Sequence, residues 1–295
     1  MIIRTQSGFF TVETAAGEIV CTLRGRLKRG ARLKDLAAIG DRVWIRVTEP
    51  GRGVIERIDP RQRSISRQAP TPKGEYEQIV IANPDQAVIV FACVHPRPKF
   101  RMLDRFLVSA EKQAIPAVIV ANKIDLVGLE RAQALFGHYA PLGYPLIYTS
   151  AKIGQGIDEL RDSLRGKISA LAGPSGVGKS SLLNALQPGL GLAVKEISRA
   201  TGKGQHMTVV SQLFRLPEGG YVADTPGLKA LALWDVDPAE LDGYFPELRH
   251  LVADCQFNDC THIHEPGCAV RIAVDAGDVH PERYKSYCYL RQGEE

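Results

Sequence analysis

Long apolar runs are missing from this 295-residue chain. No stretch approaches the roughly 20 residues that cross a bilayer. The opening MIIRTQSGFF lacks the extended apolar core of a secretory signal. The expected location is therefore the cytoplasm, with no membrane contact. Cysteine is sparse, with Cys21, Cys93 and Cys288 scattered and Cys255, Cys260 and Cys268 clustered. Disulfide frameworks belong to small secreted chains, so an oxidised scaffold is excluded and the cluster reads as metal ligands. No internal repeat is present. What remains is the composition of an ordinary globular protein, 44% hydrophobic and 24% charged, with length for one to three domains.

The net charge of +4 hides an asymmetry: residues 1–67 carry 14 Lys/Arg against 7 Asp/Glu, and the rest of the chain is net acidic. A basic first quarter indicates either a polyanionic partner or a solvated basic face. The same zone holds short strand-like runs (GFFTVET, EIVCTL, RVWIRV, GVIERI) separated by Gly and charged clusters. That spacing predicts a small antiparallel barrel, of the OB type or, nearly as well, SH3-like. A Pro-containing linker is expected at about 68–78. Apolar runs then alternate with helical stretches: QAVIVFACV, LDRFLVSAEKQ, AVIVANKID, PLIYTSA, KISALAG and YVADTPG. Such alternation predicts a parallel sheet covered on both faces, with ligands bound beyond the carboxyl ends of its strands. From about residue 234 the chain is expected to be mainly helical, with Asp237-Pro238 starting one helix and PERYKSYCYLRQ forming the last.

The polar ends of those strands carry the chemistry. Gly173-Pro174-Ser175-Gly176-Val177-Gly178-Lys179-Ser180-Ser181 matches G-x-x-x-x-G-K-[ST] between a strand and a helix. Glycines let backbone N–H groups wrap phosphates at a helix N-terminus. Lys179 would contact the β/γ phosphates and Ser180 would ligate Mg²⁺. Asn122-Lys123-Ile124-Asp125 matches N-K-x-D, and the Asp125 carboxylate can accept from both the ring N1–H and the 2-amino group of guanine, a donor pair that adenine lacks. Asn122 would hold the base and its loop, and Lys123 would lie along base and sugar. In Thr149-Ser150-Ala151-Lys152, the Ala151 N–H is expected to read the guanine carbonyl. Asp224-Thr-Pro-Gly227 would sense the γ-phosphate, Asp224 through Mg²⁺ and Gly227 through its N–H. Leu228 stands where many GTPases place a water-orienting Gln, which predicts slow basal turnover stimulated by a partner. Thr208, with Thr201 in reserve, is the candidate Mg²⁺-ligating switch threonine, and His206 could orient the attacking water.

The order of these motifs is rotated. N-K-x-D and S-A-K precede the phosphate cradle and the sensor, so the expected core is a circularly permuted α/β P-loop GTPase, with the second switch running straight into the C-terminal zone. There, Cys255-x₄-Cys260-x-His262-x₅-Cys268 offers three thiolates and an imidazole, a closed donor set suited to one structural Zn²⁺. His264 is a substitute ligand and Cys288 a packing residue.

With GVIERIDPRQRSISR, NPDQAVIVFA, LDRFL, NKID, TSAK, GPSGVGKSS, DTPG, YFPEL and CQFNDCTHIHEPGCAV in this order, the chain resembles the RsgA (YjeQ/YloQ) family of small-subunit-dependent GTPases over nearly its whole length. The resemblance implies an OB-fold RNA-binding domain (1–67), a permuted GTPase domain (68–233) and a zinc-binding domain (234–295). It implies GTP hydrolysis in late maturation of the small (30S) ribosomal subunit, stimulated by that subunit through 16S rRNA, by a monomer. Zinc ligation carries over to Cys255, Cys260, His262 and Cys268. The family's first switch reads like G-R-H-T-T-T, whereas this chain has Gly204-Gln-His-Met-Thr-Val209, retaining His206 and Thr208. Arg24, Arg26, Lys28, Arg29, Arg32 and Lys34 would meet rRNA phosphates, with binding that weakens steeply in salt. Two readings compete: a nucleotide-gated binding module with negligible hydrolysis, motivated by Leu228, and an ATP-dependent kinase, against which Asp125 speaks.

Overall fold

The computed structural model describes residues 1–28, 36–71, 74–188, 211–223 and 236–293. Five strands open the chain: β1 (Ile2–Gln6), β2 (Phe9–Thr14), β3 (Gly17–Leu23), β4 (Val43–Glu49) and β5 (Arg52–Ile58). They pair in the order β1-β2-β3-β5-β4, antiparallel except for the parallel pair β3/β5. That parallel pair decides for an OB-type barrel, because SH3-like barrels are antiparallel throughout. Alternating inward residues, among them Phe10, Val12, Cys21, Leu23 and Ile55, fill it.

The stretch expected as a linker is a β-hairpin, β6 (Ser64–Thr71) and β7 (Gly74–Ala82), that forms a separate two-stranded sheet. Its base is locked to the barrel. Arg61 makes a bidentate pair to the buried Asp41, with Nε–Oδ1 and Nη2–Oδ2 both 2.8 Å, and the Ala82 N–H donates to the Ile39 carbonyl at 2.8 Å.

A second set of strands follows: β8 (Gln86–Ala92), β9 (Ala117–Asn122), β10 (Leu146–Thr149), β11 (Ile168–Ala172), β12 (Ser211–Arg215) and β13 (Tyr221–Ala223). Their order is β10-β9-β8-β11-β13-β12, parallel except for antiparallel β12. β8 and β9 are buried along their whole length, as continuous apolar runs require when helices cover both faces. Successive residues point to opposite sides. Ile89, Phe91, Ile119 and Ala170 meet α1 (Phe100–Lys112) and α2 (Leu129–Phe136), whereas Val88, Val90, Val120 and Leu171 meet α3 (Ile157–Leu164) and α4 (Lys179–Leu186). The barrel core is continuous with the first of these layers, because β1 pairs with β12 and joins both parts into one eleven-stranded sheet.

The C-terminal part is less helical than expected. The helix begun at Asp237, whose carboxylate accepts from the Ala239 N–H at 2.8 Å, is a short 3₁₀ stretch, Pro238–Tyr244. It ends because Pro246 forces Phe245 into an extended conformation (ψ 104°). Among the described residues, α5 (Ala269–Ala276) and α6 (Pro281–Arg291) are the α-helices there.

Candidate functional site

The carboxyl ends of β9, β10 and β11 bring the predicted nucleotide motifs together. In the register of the parallel strands, Thr149 lies beside Asn122. Asn122 is buried and holds three loops at once. Its Nδ2 donates to the Val177 carbonyl at 2.8 Å, and its Oδ1 accepts from the Thr149 hydroxyl at 3.1 Å and from the Ala151 N–H at 3.4 Å. Ser150 Oγ donates to Asp125 Oδ1 at 2.6 Å, which fixes the orientation of that carboxylate. Lys123 Nζ donates to the Gly176 carbonyl at 2.6 Å and to the His95 carbonyl. Burial pulls its pKa down, and Asp125 partly offsets this. Lys152 is exposed at the rim.

The loop between β11 and α4 depends on two glycines. Gly173 (φ +136°) passes so close to β8 that a Cβ would sit 2.2 Å from the Val90 carbonyl oxygen. At Gly178 (φ +101°) a Cβ would fall 2.4 Å from Asn122 Nδ2. Both positions need left-handed backbone and no side chain. Lys179 Nζ lies inside the loop it closes, donating at 2.8 Å to the Gly173 and Pro174 carbonyls. Pro174, Ser175, Gly176 and Val177 form the turn. Ser180 and Ser181 lie in the first turn of α4, half-buried, where N–H groups face an anion. The remaining candidates, His206, Thr208, Asp224 and Gly227, together with Thr201 and Leu228, lie outside the described residues.

The second cluster is in the C-terminal part. Ligand atoms of Cys255, Cys260, His262 and Cys268 all lie within 4.8 Å of one another. His262 Nδ1 is 3.4 Å from both Cys255 Sγ and Cys268 Sγ, and those two sulfurs are 3.9 Å apart. A tetrahedron with metal–sulfur bonds of about 2.3 Å and a metal–nitrogen bond of about 2.0 Å has edges of about 3.8 and 3.5 Å, so the four side chains fit such an ion. Burial pushes the Cys260 thiol up to about 12, a proton that a metal would displace. His264 is outside the cluster, and Cys288 is half-buried against the same small core.

Two family models match this chain: one described as RsgA GTPase over residues 58–234, and one as RsgA N-terminal domain over residues 1–55. The chain belongs to the RsgA GTPase family. The small ribosomal subunit biogenesis GTPase RsgA of Gemmatimonas aurantiaca is 47% identical over 99% of this chain and 95% of its own length. The protein of that name from Moorella thermoacetica is 45% identical over 97% and 93%. The crystal structure of YjeQ from Thermotoga maritima superposes with a TM-score of 0.81 at 37% identity, covering 99% of this chain and 96% of that one. YloQ, a circularly permuted GTPase, gives 0.76 at 31% identity over 99% and 93%.

As an RsgA-family GTPase, the chain hydrolyses GTP, and the rotated motif order is the permutation of that family. No helix among the described residues is long and apolar enough to cross a membrane. Sequence reasoning missed several supporting residues. Asp242 Oδ2 lies 3.2 Å from His262 Nε2, which directs Nδ1 toward the three sulfurs. Glu265 accepts from the N–H groups of Thr261, Ile263 and His264 and from the Thr261 hydroxyl. Burial alone would raise its pKa, yet these donors hold it well below the usual carboxylate range. Carboxylates behind a metal ligand have no fixed spacing, so no motif could have flagged either residue.

Proposed function

We propose that this protein hydrolyses GTP during late maturation of the small (30S) ribosomal subunit, stimulated by that subunit through contacts with 16S rRNA. It acts in the cytoplasm as a monomer, away from membranes. The observation that carries the reading is the Asn122 interlock, which ties phosphate loop, base-reading loop and S-A-K loop into one preformed guanine site. The relatives' names supply the substrate assembly.

In this reading Asp125 accepts from the guanine N1–H and 2-amino group, and the N–H of Ala151 reads the carbonyl, with Lys123, Ser150 and Lys152 closing the base pocket. The N–H groups of residues 173–181 wrap the phosphates, and Lys179 turns its ammonium from the loop carbonyls to the β/γ phosphates. Ser180, Thr208 and Asp224 would hold Mg²⁺, which neutralises charge developing on the phosphates. His206 orients the water that adds to the γ-phosphorus as GDP leaves, and Gly227 senses the loss of phosphate. The Cys₃His cluster holds a structural Zn²⁺, since four N/S donors leave no open position. The functional units are an RNA-binding barrel (1–67), a GTPase domain (68–233) and a zinc domain (234–295).

Hydrolysis measured alone and with isolated small subunits, with Lys179→Ala as control, tests the reading. Strong stimulation that disappears in the variant is expected. Equal slow turnover in both conditions would rule out the ribosomal partner.

A further inference from the structure

Among the described residues the barrel joins the parallel sheet through one pair of strands, β1 and β12. β12 and β13 form the hairpin that separates the two switch segments in sequence: residues 189–210 end where β12 begins, and Asp224 follows the last residue of β13. β12 is also the strand on which the barrel is built. β1 pairs with it antiparallel, Arg4 opposite Gln212 and Thr5 opposite Ser211. Ile2, Leu213 and Ala223 share one buried core, with Tyr221 packed against it. Across this seam the Tyr221 hydroxyl donates to Glu13 Oε2, and Arg215 Nη1 reaches Glu13 Oε1 at 3.5 Å. Burial, then the Glu13 contact, pushes the Tyr221 phenol up to about 12, so it remains a donor at any physiological pH.

We propose that this seam couples the barrel to the switches, with Glu13 and Tyr221 as positioning residues. A ligand shifts an equilibrium only through contacts that differ between its states. A barrel pressed or tilted by bound RNA moves β1, and β1 is hydrogen-bonded to the strand between the switches. The C-terminal zone follows the second switch in the chain and packs on α1, whereas the seam reaches the strands that precede one switch and follow the other. Arg215 is largely exposed, and an exposed pair of this kind contributes little, so it is not part of the device.

Two measurements test this, the second resting on the ribosomal reading above. In the protein alone, hydrogen exchange of the β1 and β12 amides is expected to differ about five-fold or more between the GDP and non-hydrolysable GTP-analogue states, a coupling of ordinary size. Tyr221→Phe should flatten that difference. With small subunits, Tyr221→Phe should lower stimulated turnover about five-fold or more while basal turnover and subunit binding stay unchanged. Glu13→Gln, which keeps an acceptor for the phenol, should retain most of the stimulation, and Arg215→Ala should behave as wild type. Identical exchange in the two nucleotide states overturns the proposal, as does full stimulation of Tyr221→Phe or an equal fall in basal and stimulated rates. A wild type that shows the exchange difference without stimulation supports the seam and removes the ribosomal partner instead.

Discussion

The two flanking parts of the molecule are fastened to the central domain in different ways. The barrel is joined by a backbone ladder and a shared apolar core in which Ile2, Leu213 and Ala223 are buried together. The C-terminal part is joined by buried charge beside a small apolar core that takes in Val108 of α1. Arg283 on α6 is 1% exposed and grips Glu247 with Nε–Oε1 at 2.6 Å and Nη2–Oε2 at 3.1 Å, while its Nη1 reaches Asp104 on α1 at 2.5 Å. The Tyr139 hydroxyl donates to the same Asp104 oxygen at 2.8 Å. Beside this network His138 and His280 stack at 4.1 Å between ring centres, 12° from parallel. Backbone ladders survive most side-chain changes, but buried ions tolerate no missing partner, because the remaining charge keeps its full desolvation cost. The first junction should therefore degrade gradually and the second fail abruptly.

The largest test of this contrast is metal removal. Structural zinc sites carry roughly 10–16 kcal/mol of apparent binding free energy that doubles as folding free energy. Chelation should release α5 and α6 from the charged junction and leave the β1/β12 ladder protected, as read by hydrogen exchange. Equal loss of protection at both junctions would refute the separation.

Next comes Arg283→Met, which leaves Asp104 and Glu247 buried without a counter-charge and should cost about 3–5 kcal/mol in urea unfolding. Adding Asp104→Leu and Glu247→Leu should recover most of that loss. Arg283→Lys should also fail, since a lysine cannot reproduce the bidentate grip.

At the barrel seam Ile2→Val removes one methyl group from a fully buried site and should cost only about 0.5–1.5 kcal/mol. A loss as large as that of Arg283→Lys would erase the contrast.

The last test is acid sensitivity. Burial first, then His280 and Arg283, lowers the His138 pKa from 6.5 to about 4. Its folded pKa lies below its unfolded one, so the unfolded chain binds the proton more readily. The contribution is complete above pH 6.5 and is lost as pH falls through about 4. Melting temperatures at pH 7 and pH 5 should differ less in His138→Phe than in wild type.

Much of the nucleotide site was legible in the chain because phosphate and guanine chemistry demand short, contiguous motifs. Gly173–Ser181, Asn122–Asp125 and Thr149–Lys152 each stand at a strand end, where their patterns placed them. The cluster Cys255, Cys260, His262 and Cys268 was legible for the same reason, since thiolates and imidazole at that spacing have few other uses. What was not legible lay between motifs. The stretch at about 68–78 read as a linker, yet β6 and β7 pair along it, because register is decided by cross-strand partners and not by local propensity alone. The helix expected after Asp237 ends before Pro246, a helix breaker that the sequence itself displays.

By itself the sequence carried the motifs: a P-loop pattern, an N-K-x-D pattern and a Cys₃His set, in a rotated order that matches the permutation of the family. Those are local, and each depends on residues a few positions apart. Tertiary structure alone decided how they work together. It made Asn122 the fastening of three loops, placed Asp242 behind His262, buried Arg283 between two carboxylates, and laid β1 against the strand between the switches. These contacts join residues 20 to more than 200 positions apart, and no periodicity records a pairing that only the folded chain brings within reach.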